Sequence, residues 1–137
     1  MEIKIEGSRR NRKWAEFLLP SMLKQLKLEN CRKGLLIRMY NECEDNDGVT
    51  LDLSQATGCF LVIVKPNRSL EKMGMTLAHE MVHVKQMAKG TLKSHPKGGN
   101  IWAGKRYNKK TNYLDRPWEV EAFSRQELIL RRALERI

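Results

Sequence analysis

The 137-residue chain has no apolar run long enough to span a bilayer, which leaves no membrane partner to consider. Its start, Met1-Glu2-Ile3-Lys4-Ile5-Glu6-Gly7, has neither the basic-then-apolar profile of a secretory signal nor a cleavage pattern, so a soluble, cytoplasmic protein is expected. The three cysteines, Cys31, Cys43 and Cys59, are odd in number and lack Cys-x-x-Cys spacing. That weighs against a disulfide framework and a thiolate metal site, and points to reduced, partly buried thiols. No repeat, low-complexity tract or linker divides the sequence, so residues 1–137 are read as one domain of ordinary size, with no room for a second catalytic domain. Acidic residues are scarce: 16 Asp and Glu stand against 26 Lys and Arg, a net charge of +10. Such a balance favours encounters with polyanions or acidic protein surfaces without naming one.

What is present reads as α+β. Ile3 and Ile5 alternate with charged residues and predict a short edge strand. Trp14, Phe17, Leu18, Met22 and Leu26 recur at helical spacing, with Pro20 expected to kink the helix or start another. Gly34 to Tyr40, with Leu35, Leu36, Ile37 and Met39, predicts a strand, and Val49, Leu51 and Leu53 predict a second one returning on it after the turn Asn46-Asp47-Gly48. The acidic stretch from Glu42 to Gly48 lacks the ligand spacing and closing glutamate of a calcium loop and is read as a turn. Cys59 to Val64 is apolar throughout and predicts a deeply buried strand, and Ile101 to Tyr107 a further one. Ser69 caps a helix running to about Lys89, where Gly90 stops it, and Leu70, Met73, Leu77, Met81, Val84 and Ala88 form its apolar stripe. Pro117 opens the final helix, with Asp115 as its expected cap.

The capped central helix carries His79-Glu80-Met81-Val82-His83. Residues at i and i+4 share a helical face, so His79 and His83 can aim imidazole nitrogens at one zinc ion. Glu80, rotated about 100° from His79, can reach a zinc-bound water without binding the metal. Catalytic zinc takes three protein ligands, and Glu119, Glu121 and His95 are the candidates for the third. The face through Glu119 continues with Phe123, Gln126, Leu130, Ala133 and Ile137 and should pack inward. The face through Glu121 continues with Ser124, Arg125, Leu128, Arg132 and Glu135, which reads as solvated, and His95 reads as an exposed loop histidine. Glu119 is therefore the favoured ligand.

The stretch from His79 to Gln86, followed by Tyr113-Leu114-Asp115-Arg116-Pro117-Trp118-Glu119-Val120-Glu121-Ala122-Phe123, resembles small metallopeptidase-like proteins of phage and bacterial genomes. It is also similar to the wider gluzincin pattern of zincins. That resemblance spans about Phe60 to Gln126, implies a compact zincin-like fold with a small mostly antiparallel sheet, and makes Glu119 the third ligand, since Ala122 follows at the Glu-x-x-Ala spacing. It implies the host cytoplasm if the chain is phage-encoded. It also implies that the strand at Phe60 to Val64 pairs with an extended substrate. Phe123 departs from the pattern, standing where many gluzincins carry a group that orients a histidine ligand. A weaker likeness runs to SprT-like proteases, with His95 in the place of their downstream histidine.

The function expected is zinc-dependent hydrolysis of peptide bonds in a protein or peptide substrate, with one zinc per chain held by His79, His83 and Glu119, and Glu80 activating the water. Tyr107, Tyr113 and Arg116 are candidates to stabilise the oxyanion. Two alternatives stand beside it. One is a SprT-like protease acting on nucleic-acid-associated proteins, suggested by basic clusters at Arg9 to Lys13 and at Lys93, Lys97, Lys105, Arg106, Lys109 and Lys110. The other is a zinc-binding module without catalysis.

Overall fold

A strand as apolar as Cys59-Phe60-Leu61-Val62-Ile63-Val64 is stable only with neighbours on both edges and a layer over it, and the chain supplies both. In the computed structural model, which describes residues 1–135, this strand (β4, Cys59–Val64) is interior to a four-stranded sheet. It runs parallel to β2 (Gly34–Met39) and antiparallel to β3 (Gly48–Leu53), while β1 (Ile3–Gly7) adds in parallel to the far edge of β2. The segment 48–53 therefore returns on β4, Val49 opposite Ile63 and Leu51 opposite Leu61, and not on the strand at 34–39. A four-residue helix, α2 (Ser54–Thr57), ended by Gly58 at φ 78°, makes the tight reversal between β3 and β4. Three of the five strand pairings are antiparallel, because a separate meander follows the sheet.

Leu35, Ile37, Met39, Phe60, Val62 and Val64 turn one face of the sheet to the helices and are buried. Helix α1 (Arg9–Gln25), capped by Ser8 accepting from the Asn11 N–H, links β1 to β2. It continues through Pro20 as one helix, anchored on both sides of the proline by buried Leu18, Leu19 and Met22. Helix α3 (Leu70–Ala88) is the central element. Ser69 accepts from the Lys72 N–H at its start, and Gly90 at φ 77° follows its end, as expected from the sequence.

The chain then forms the meander β5 (Leu92–Ser94), β6 (Asn100–Trp102) and β7 (Lys105–Tyr107). The single strand expected at Ile101 to Tyr107 is thus a hairpin, reversed at Ala103 (φ 49°) and Gly104 (φ 85°), the left-handed pair that a two-residue turn requires. After a 3-10 turn at Tyr113–Asp115 comes α4 (Pro117–Leu134), with Pro117 in its first turn. Asp115 closes the 3-10 turn and does not cap α4, whose cap position is held by Arg116 without a side-chain bond. Helix α4 lies close to α3 over Gly74, where an added Cβ would stand 2.8 Å from Leu130 Cδ1 and 3.3 Å from Leu18 Cδ1. On the face expected to turn inward, Leu130 and Ala133 are buried, Phe123 is exposed, and Ile137 lies outside the described residues. No described helix is long and apolar enough to cross a membrane.

Candidate metal centre

Helix α3 places His79 and His83 one turn apart with their rings edge to face, centroids 4.9 Å apart. The first turn of α4 brings Glu119 against them, so that one carboxylate oxygen, Oε1, lies 2.9 Å from His79 Nε2 and 2.9 Å from His83 Nε2. All three side chains are buried. The structure thus gathers Glu119 and leaves the other two candidates elsewhere. Glu121 reaches the side chain of Gln86 behind His83, and His95 is engaged in its own loop, its Nδ1 accepting from the Lys97 N–H.

The protonation of the cluster follows from its outer partners. The Gln86 amide nitrogen donates to the Trp118 carbonyl at 3.0 Å and to Glu121 Oε1 at 3.1 Å, both acceptors only, so its oxygen must be the atom 2.8 Å from His83 Nδ1. Nδ1 of His83 therefore carries a proton, and its Nε2 turns toward Glu119. Gln126 Oε1 meets His79 Nδ1 in the same way at 2.8 Å. With both Nδ1 atoms donating outward, two Nε2 lone pairs and a carboxylate oxygen converge on one point. Two imidazoles and a carboxylate are the donor set of a zinc site with an open position, and each histidine has the outer acceptor such ligands use to fix their tautomer.

Without metal a proton must bridge the cluster, and the titration of its members reflects this. Burial alone would lower the affinity of His83 for a proton, but the hydrogen bond and charge of Glu119 outweigh it and raise the pKa. Burial would raise Glu119, yet bonds from His79, His83 and Tyr113 hold it down at about 2. Glu80 behaves oppositely. Desolvation lifts it above the ordinary carboxylate range, against the pull of both histidines and of Thr50.

Glu80 faces β3. Thr50 Oγ1 donates to Glu80 Oε1 at 2.9 Å, and Gly48 lies so near that an added Cβ would stand 3.1 Å from Glu80 Cγ. Ligand atoms of His79, Glu80 and His83 all lie within 4.8 Å of one another. His79 and Glu80 border a cleft of about 520 Å³ whose walls include Asp45, Asp47, Thr76, Tyr113 and Phe123. Of the three candidate oxyanion donors, only Tyr113 lines this cleft. Tyr107 packs on Trp118, and the Arg116 guanidinium binds the Thr111 carbonyl and covers the Tyr113 ring. Strand β3, whose Gly48 lines the cleft, is paired among the described residues with β4 alone and is an edge strand, whereas the strand expected to receive substrate, β4, has both edges occupied.

Gln86, Gln126, Thr50 and Gly48 carry no sequence signal that marks them as parts of the site. Phe123 holds His79 only by an edge-on ring contact at 4.6 Å, and the orienting bond comes from Gln126, almost one turn further along α4. Gln126→Leu is expected to weaken zinc binding by about 10- to 100-fold while the fold stays intact. Competition against a calibrated chelator, with circular dichroism as the check on folding, measures both.

No family model, curated protein or solved structure matches the chain.

Proposed function

We propose that the protein is a zinc-dependent peptidase in which His79, His83 and Glu119 hold the metal and Glu80 moves the proton. The observation that carries this reading is the convergence of two Nε2 atoms and Glu119 Oε1 at 2.9 Å, with Glu80 buried beside them. Zinc held there supplies a Lewis acid that lowers the pKa of water and polarises a carbonyl. Glu80, steadied by Thr50 and raised in pKa by burial, takes the proton of the attacking water and returns it to the leaving amine nitrogen. The Tyr113 hydroxyl, whose pKa burial and Glu119 push upward, stays protonated, and its single proton would turn from Glu119, engaged with the metal, to the developing oxyanion. The free edge of β3 beside the cleft suits an extended polypeptide, which favours a peptide over a small ester or amide. In the test, an unfolded protein is incubated with the zinc-loaded chain and the products are read by mass spectrometry. Discrete new peptide termini, absent after chelation and restored by zinc, are the expected result; an unchanged substrate in the presence of bound zinc contradicts catalysis and leaves a zinc-binding module.

A second reading places the same chemistry on nucleic-acid-associated proteins. Between Glu80 and Asp115 there is no acidic residue, while Lys85, Lys89, Lys93, Lys97, Lys105, Arg106, Lys109 and Lys110 all fall there, and the last four are exposed on or just after the meander. None of them has an ion-pair partner among the described residues. Cleavage stimulated by DNA and suppressed by salt separates this reading from the first.

A further inference from the structure

Four of the nine large apolar side chains exposed among the described residues come from one short stretch, Tyr113 (45% exposed), Leu114 (77%), Val120 (53%) and Phe123 (47%). Scattered singly, such residues need no explanation, but clustered they mark a binding surface. Here they surround the metal centre. Leu114, Val120, Phe123 and Ser124 line a depression of about 390 Å³, and its remaining lining residue is Glu119. Phe123 also lines the main cleft, with its ring edge-on to His79. The depression and the cleft are thus neighbours across one aromatic ring, with a zinc-ligand candidate bordering each. A chain extended through the cleft past His79 and over Phe123 would set its next side chain down between Leu114 and Val120.

We infer that the Leu114–Val120–Phe123 depression is a specificity subsite taking a large apolar side chain that flanks the scissile bond of a peptide substrate. The inference deepens the peptidase reading and rests on it. The occupant follows from continuity with the cleft and from the lining, whose only charged member is the inward-turned Glu119 carboxylate, already bonded to both histidines. Moving a leucine side chain from water onto such a surface favours binding by roughly tenfold over a serine.

The test uses the zinc-loaded Glu80→Gln chain, which should bind substrate without cutting it, and peptides that differ only by Leu, Phe, Ser or Asp at the position next to a bond the parent cleaves. Fluorescence anisotropy is expected to show Leu and Phe peptides binding roughly tenfold more tightly than Ser or Asp peptides. In the Val120→Asp variant the Leu-to-Ser ratio should fall toward one, with one zinc per chain retained; Leu114→Asp, at the most exposed position, provides a second variant should the first fold poorly. A parent that holds zinc and cuts peptides with no apolar preference, or a preference that survives both variants, overturns the subsite. So does a patch that proves to be buried between two copies, seen as a dimer in sedimentation that Val120→Asp dissociates. A parent that holds zinc and cuts nothing overturns the peptidase reading and the subsite with it.

Discussion

Glu80→Gln is expected to lower peptide hydrolysis by about 10²- to 10⁴-fold while leaving zinc content unchanged. The amide keeps the size of the carboxylate and can still accept from Thr50 Oγ1, so the wall formed by Gly48 and Thr50 stays in place. What it loses is the ability to accept a proton from water and return it to the leaving nitrogen. The same change removes a buried carboxylate whose raised pKa records the cost of its desolvation, so the variant should melt no lower than the parent. Initial rates on a quenched peptide, metal analysis and a melting curve on one preparation read all three. A variant as active as the parent would remove Glu80 from the chemistry, and a variant without zinc would show that Glu80 holds the metal and does not move the proton.

Zinc should stabilise the fold strongly, and more so at higher pH. The centre joins α3 to α4, and both helices contribute to one hydrophobic core through Leu77, Met81, Leu130 and Ala133. A ligand that binds only the folded chain stabilises it by about 4 kcal/mol at a thousandfold excess over its dissociation constant, on the order of 10 °C for a domain of this size. The pH dependence follows from the proton that the metal replaces. In the metal-free protein the raised pKa of His83 gives stability that is complete below about pH 6.5 and fades as pH rises through the folded value. The depressed pKa of Glu119 gives stability present above about pH 4.3 and lost as pH falls toward 2. The apo pairing is therefore tightest between about pH 4.5 and 6.5, where a proton competes best with zinc. Differential scanning calorimetry with and without chelator should show a larger zinc-dependent increase in melting temperature at pH 8 than at pH 6. An increase that is equal at both values would mean that zinc displaces no proton from the cluster.

Much of the site was legible because it is local. Ser69, Gly90 and the stripe from Met73 to Val84 define the helix, and i, i+4 spacing on it is enough to pair His79 with His83. Glu119 needed one further step, the recognition that Leu130 and Ala133 share its helical face and turn it inward. Gln86 and Gln126 were not legible, since an amide becomes a histidine's partner only after two helices have docked. The strand order escaped for a related reason. Asn46-Asp47-Gly48 looks like a hairpin turn, yet β4 is apolar on both faces and draws β3 onto itself, leaving the turn residues to wall the cleft. The break at Ala103-Gly104 was hidden because alanine rarely takes the left-handed conformation that it holds here.

Elemental mass spectrometry of the purified, tag-free chain beside Glu119→Ala reads whether α3 and α4 together build one zinc site. One zinc per chain in the parent, with sharply weakened binding in the variant and an unchanged circular dichroism spectrum, is the expected outcome. A parent that cannot be loaded with zinc, or a variant that holds it as tightly as the parent, would contradict it.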